Sequence, residues 1–200
     1  MKEKGPNVLV LKTDGINCDG EIFNAFETAG GKPKTVHINE LKSGTEKLQD
    51  FQILAIPGGF SYGDDVRSGK ILALELNSYL GDQINDFVQQ QKGLVLGVCN
   101  GFQVLVRTGL LPFGTMGEMQ ATLTDNDSGK FECRWINLKI ENSASVFLEG
   151  HESISLQVAH GEGKFFAHQN MIKKIEDKGL VAFRYIDGLG NPTQEYPSNP

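Results

Sequence analysis

No basic cluster interrupts this 200-residue chain, whose formal net charge is −6, and no aromatics alternate with lysines and arginines. Gripping a phosphate backbone takes clustered positive charge, so a nucleic-acid partner is not expected. Long apolar runs are missing as well. After the short basic start MKEK, the first run is only Val8–Leu11. That is too brief for the core of a secretion signal, and a bilayer span takes about 20 residues. The expectation is a cytoplasmic protein with no membrane segment. Cysteine is scarce and odd in number, with Cys18, Cys99 and Cys133 far apart. A disulfide framework or paired-cysteine metal site does not fit that distribution. His151, His160, Glu162 and His168 match no zinc spacing, so no metal is expected. There is no P-loop, internal repeat or low-complexity tract, and no Pro/Ser/Gly linker. The chain reads as one domain over residues 1–200.

Hydrophobic residues make up 39% of the chain and charged ones 22%, the balance of an ordinary globular protein. Short apolar runs at Val8–Leu11, Lys34–Ile38, Phe51–Ile56 and Leu94–Val98 read as strands. Helical spacing at Glu21–Ala29, Leu72–Gln90 and Phe102–Val106 falls between or after them. Alternating strands and helices, with strands apolar on both faces, define an α/β fold: a mostly parallel, flavodoxin-like sheet flanked by helices. From about Phe131 the texture changes. Phe131–Ile140, Ile154–Ala159 and Val181–Ile186 look like an antiparallel extension in the C-terminal third, with a helix at Asn170–Lys178. In parallel sheets the functional loops gather at the carboxyl ends of the strands. Two such loops carry chemistry.

The first is Gly97-Val98-Cys99-Asn100-Gly101, a nucleophile pattern between a strand and a helix. The corner would lift the sulfur above the sheet edge, and the glycines would leave room where a Cβ would collide. A helix N-terminus favours negative charge placed beside it. The backbone N–H of Asn100 could face the oxygen of a tetrahedral intermediate. Gln103, four residues on, shares the helical face of Cys99. The plain alternative is that Cys99 ends a buried strand and packs. The second loop is Pro57-Gly58-Gly59-Phe60-Ser61-Tyr62-Gly63-Asp64. Its glycines would let main-chain N–H groups approach a ligand, and Gly59 could give the other oxyanion donor.

With both loops in hand, the chain resembles the class I glutamine amidotransferases. It is most similar to the branch that serves de novo purine synthesis. The motifs are Ile56-Pro-Gly-Gly-Phe-Ser-Tyr-Gly-Asp64, Leu96-Gly-Val-Cys-Asn-Gly-Phe-Gln103 and Val158-Ala-His-Gly-Glu-Gly-Lys-Phe165. Gly15-Ile-Asn-Cys-Asp19, Gly109-Leu-Leu-Pro112 and Tyr196-Pro-Ser-Asn-Pro200 agree. The resemblance implies hydrolysis of the glutamine side-chain amide through a cysteine thioester. The ammonia would pass to a synthetase subunit that aminates formylglycinamide ribonucleotide, with room for a small third subunit. ATP and magnesium would sit on that partner, and no cofactor in this chain. Cys99 matches the nucleophile; Gly58, Gly59 and Asn100 match the oxyanion and substrate loop, and Gln103 a glutamine-contacting residue.

One departure from that family matters. Its catalytic His and Glu form a His-Pro-Glu stretch near the C-terminus, and this chain has none. His160 and Glu162 of His-Gly-Glu-Gly match a different family motif, and its role is not that of the base. The expectation is therefore a C-terminally truncated form of a longer glutaminase, since thioester turnover needs a proton donor and acceptor. Two other readings compete: a silent glutaminase-like subunit that binds or regulates the synthetase, and another cysteine hydrolase on a similar sheet. The latter usually has a His soon after the cysteine, whereas none follows Cys99 before His151. Of the rest, His37 is expected at the surface or as a cap, and Asp64-Asp65 as helix-start charges. Cys18 and Cys133 are expected to be structural, and Trp135 to pack in the core, the alternative being that it faces a partner.

Overall fold

Val8 and Val10 point to one side of the first strand, Leu9 and Leu11 to the other, and all four are buried. A strand apolar on both faces must be covered on both faces. The computed structural model, which describes residues 5–143 and 145–200, covers it with helices. The basic start Met1–Lys4 lies outside the described residues. The chain divides into two compact units, Met1–Met119 and Gln120–Pro200.

The first unit runs β1 (Asn7–Lys12), α1 (Asp19–Thr28), β2 (Lys32–His37), α2 (Ile38–Ser43) and β3 (Ile53–Ile56). It continues with α3 (Lys70–Glu75), α4 (Gly81–Gln89), β4 (Leu94–Gly97), α5 (Asn100–Arg107) and α6 (Leu110–Phe113). The strands form one sheet in the order β2-β1-β3-β4, every pair parallel. Leu9, Leu11, Leu54 and Ile56 share a buried cluster with Leu72, Leu76, Phe87 and Val104 from the helices on one face. Val8, Val10, Ile53 and Ala55 pack with Ile22 and Phe26 of α1 on the other. The expected parallel α/β sheet is present, and its carboxyl edge carries the segments after β1, β3 and β4.

The expected helix Leu72–Gln90 is interrupted. A π-helical turn spans Leu76–Leu80, and α4 restarts at Gly81. The reason lies in the spacing Leu72, Leu76, Leu80, Ile84. In a helix of 3.6 residues per turn, each step of four drifts by about 40° around the axis. A wider π turn absorbs that drift, and all four side chains stay buried.

The second unit is antiparallel. β5 (Thr122–Thr124) pairs with β8 (Lys164–Phe166), while β6 (Glu132–Ile140) lies between β7 (Ser153–His160) and β9 (Phe183–Tyr185). The helix α7 (Gln169–Asp177) precedes β9. Trp135 is not in the core: it is 68% exposed. The period-two alternation of β6 turns Ile136 and Leu138 inward and leaves Cys133, Trp135 and Asn137 outward. Cys133 is accordingly exposed rather than structural. With Arg134 and Asn137, these two residues line a concavity of about 520 Å³. Among the described residues no helix is long and apolar enough to cross a membrane.

Candidate active site

Cys99 sits between β4 and α5 with φ 54° and ψ −115°, a conformation L-residues rarely adopt. It caps α5, its carbonyl accepting from the N–H of Phe102 at 2.9 Å and of Gln103 at 3.2 Å. The thiol is exposed; Cys99 is not packed under the strand. Gly101 explains how the corner closes. A Cβ there would stand 1.9 Å from the Ile56 carbonyl oxygen, so the helix lies directly on the end of β3. Val98 N–H bonds the same oxygen at 3.1 Å.

The loop after β3 comes up against this corner. A Cβ placed on Gly58 would be 3.2 Å from Cys99 Cβ and 3.8 Å from Cys18 Sγ. Gly59 has φ 124°, and a Cβ there would meet Asn17 N and the Gly15 carbonyl at 2.8 Å. Those contacts hold the loop to the segment after β1, where Phe60 N–H donates to Gly15 O and Tyr62 N–H to Asp14 O, both at 2.9 Å. Lys12 steadies that segment through Asp19 at 2.6 Å and Ile16 O at 2.8 Å. Among the described residues only four non-glycines take positive φ: Tyr62, Asp64, Lys92 and Cys99. Three of them are in these two loops. Such backbone costs about 1–3 kcal/mol per residue and persists only where surroundings hold it.

Two side-chain networks do the holding. Tyr62 accepts from Thr13 Oγ1 at 2.7 Å and donates to Glu75, which also accepts from Lys42 at 2.8 Å. Burial, and then the neighbouring Glu75 carboxylate, push the Tyr62 phenol up to about 12. Burial raises Glu75, but hydrogen bonds from Lys42 and Tyr62 outweigh it and hold the carboxyl below its usual range. The other network centres on Asn100, which is 1% exposed. Its Oδ1 accepts from Ser61 N at 3.2 Å and Ser61 Oγ at 2.7 Å. Its Nδ2 donates to Asp64 Oδ1 at 3.1 Å and to Gln103 Oε1 at 3.0 Å. Asp64 Oδ1 also accepts from Gly69 N–H at 2.9 Å. Asp64 is thus more than a helix-start charge: it joins the start of α3 to the corner after β4.

Cys99, Gly58, Gly59, Asn100 and Gln103 therefore all belong to the edge of the first unit. His37, the histidine of that unit, caps α2, its ring accepting from Asn39 N–H at 3.2 Å, in the capping role expected. His160 and Glu162 belong to the second unit. There the buried Asn126 organises the turn after β7, its Oδ1 2.8 Å from His160 Nδ1 and 3.2 Å from Gly163 N–H. Asn126 Nδ2 donates to Lys130 O and His160 O, each at 2.8 Å. Burial lowers the His160 pKa. Among the described residues no group of three His, Cys, Asp or Glu side chains could hold a metal.

The sequence reading missed the Asn100 side chain, Asn126 and the placement of Cys18. Cys18 is half-buried, and its thiol is raised by burial, then by the charges of Glu21, Cys99 and Asp19. The proximity of Cys18 to Gly58 arises from a fold contact between segments 40 residues apart in numbering. No local spacing announces it.

A strained, exposed cysteine at a strand–helix corner, faced by a glycine loop on the carboxyl edge of a parallel sheet, is what the first unit presents. The chain belongs to the CobB/CobQ-like glutamine amidotransferase domain family, which it matches over residues 5–200. It is 46% identical over 193 residues to the phosphoribosylformylglycinamidine synthase subunit PurQ of Dehalococcoides mccartyi, covering 96% of this chain and 74% of that one. The subunit of the same name from Methanococcus maripaludis is 41% identical over 198 residues, covering 98% and 72%. Among solved structures, PurLQS from Thermotoga maritima aligns with a TM-score of 0.70 and 30% identity over 92% of this chain and 76% of that chain.

Proposed function

We infer that this chain is the glutaminase component of a phosphoribosylformylglycinamidine synthase. It hydrolyses the side-chain amide of glutamine and hands ammonia to a synthetase that aminates formylglycinamide ribonucleotide. The observation that carries this reading is the Cys99 corner with Gly58 against it, in a chain 46% identical to a relative of that name. In this mechanism Cys99 Sγ attacks the amide carbon, and the carbonyl oxygen takes the negative charge. The N–H groups of Gly59 and Asn100 meet that oxygen, which is where donors fixed in advance contribute most. The C–N bond then breaks, and nitrogen leaves with a proton as ammonia. Water attacks the glutamyl thioester, glutamate departs, and the thiol is regenerated. Gln103 and Gly58 bound the glutamine side chain. ATP and magnesium belong to the synthetase, which together with a small third subunit is the partner. The cytoplasm is the compartment this reading assigns.

The reading gives His160 and Glu162 the turn after β7, and leaves the base unassigned. One observation favours a second reading, a subunit that binds the synthetase without hydrolysing: the first unit's histidine, His37, is engaged as a helix cap. A glutamine-like diazoketone separates the two. Peptide mapping is expected to find label on Cys99 alone, blocked by glutamine and absent from Cys99→Ser. Ammonia release is expected to be slow for residues 1–200 and to stop near one thioester per chain. No label on Cys99 would overturn the glutaminase reading, and ordinary turnover would make His160 the base.

A further inference from the structure

Any residue after the nucleophile could give the backbone N–H that an oxyanion needs. This chain puts an asparagine there and buries it to 1% exposure. An amide side chain has two acceptor sites and two N–H donors. All four are used, by Ser61 N, Ser61 Oγ, the Asp64 carboxylate and Gln103 Oε1. Three of those partners belong to the glycine loop, 36 to 39 residues away in the chain. Asp64 in turn takes Gly69 N–H, so the start of α3 is tied in as well. The bonds close around Asp64 and Cys99, two of the residues whose backbone is left-handed.

We propose that the Asn100 side chain is a positioning residue: it locks the glycine loop to the nucleophile corner, fixing the Gly59 and Asn100 N–H groups relative to each other. The proposal rests on the glutaminase reading for its kinetic consequence, but not for the lock itself. Oxyanion donors act only when aimed in advance, and an error of about 1 Å costs roughly 100-fold in rate. A loop held only to the segment after β1, through Phe60 and Tyr62, would keep its fold and lose that aim.

The test exchanges donor and acceptor. Asn100→Asp sets a carboxylate against Asp64, repelling where the amide donated. Adding Asp64→Asn restores the bond with its direction reversed, while Ser61 still donates to residue 100 and Gly69 N–H still finds an acceptor. With the chain assembled on its synthetase, Asn100→Asp is expected to lower the rate of the single acylation of Cys99 by glutamine, read as ammonia released in the first turnover, about 100-fold, with the half-saturating glutamine concentration changed less than 3-fold, on the order of one weak contact. The double variant is expected to recover to within about 10-fold of the starting enzyme. Alkylation of Cys99 by iodoacetamide needs no oxyanion donor, and its limiting rate at high pH, where the thiol is fully ionised in every variant, should hold in both. Hydrogen exchange of peptides covering residues 57–65 should quicken in Asn100→Asp and slow again in the double variant. Ser61→Ala, a milder cut, should give a smaller change in the same direction.

A single variant with unaltered first-turnover rate and exchange, or a double variant no better than the single, overturns the proposal. If the unmodified complex releases no ammonia even in the first turnover, the glutaminase reading fails, and the exchange measurement alone decides the lock.

Discussion

Alanine in place of glycine inside a helix ordinarily stabilises by up to about 1 kcal/mol. At Gly101 the sign reverses. The added methyl would lie 1.9 Å from the Ile56 carbonyl oxygen and 3.0 Å from that of Pro57, and neither backbone atom can swing aside. Gly101→Ala must push α5 off the end of β3, at a cost of about 1–3 kcal/mol for overpacking. Urea unfolding should show a lower midpoint with an unchanged slope. The role of this glycine was legible in the Gly-x-Cys-x-Gly string, because the requirement is local: a helix that begins on top of a strand. The part played by Asn100 was not. Its partners are fixed by how two loops meet, and hydrogen bonds across 36 or more residues leave no periodicity to read.

Among the elements, the loop after β3 depends on Tyr62 being a neutral phenol. Its pKa is pushed from about 10 in an unfolded chain to about 12 in the fold. Stability that rests on the neutral form is therefore complete below pH ~10 and is lost as pH rises through about 12. Glu75 acts at the other end of the scale. Its carboxyl is held below the usual range, so what it contributes is present above the unfolded pKa and lost as pH falls through the folded one. Tyr62→Phe removes the phenolic hydrogen bonds and should cost about 1 kcal/mol at neutral pH. It also removes the alkaline step. The urea midpoints of the two proteins should thus differ at pH 7 and converge above pH ~10. Unchanged spacing across that range would mean that Tyr62 does not titrate as the fold requires. At this scale the strands were legible to within a few residues, since Val8–Leu11 or Ile53–Ile56 can be buried only between two helical layers. The π turn was not read as such, although the every-fourth-residue leucines that produce it stand plainly in the sequence.

For the whole molecule, the division at Met119–Gln120 places His160 in a different unit from Tyr62 and Glu75. His160 titrates below its ordinary value because burial disfavours the charged ring. The stability tied to its neutral form is complete above pH ~6.5 and drains as pH falls through the lower folded value. The turn organised by Asn126 should therefore loosen in mild acid, while the parallel sheet stays closed. Hydrogen exchange at pH 7 and at about pH 5, across the expected titration range and normalised at each pH to the intrinsic amide rate, should show lower protection at the acid pH in peptides covering 124–132 and 160–166. Peptides from β1 and β3 should not respond. His160→Gln should remove the difference between the two pH values. Equal loss of protection everywhere would show that the units do not respond separately. The antiparallel character of this half was readable from its alternating strands, but the outward placement of Trp135 was not. Alternation gives two faces without saying which one is covered.

The chain has a single tryptophan, at position 135 in the second unit and 68% exposed. Its indole already meets solvent in the native state, so unfolding shifts its emission little, and whatever shift occurs reports β6 and its neighbours. A melt followed by tryptophan emission thus times the loss of the antiparallel half, while the half that carries the thiol corner, which holds no tryptophan, melts in the dark.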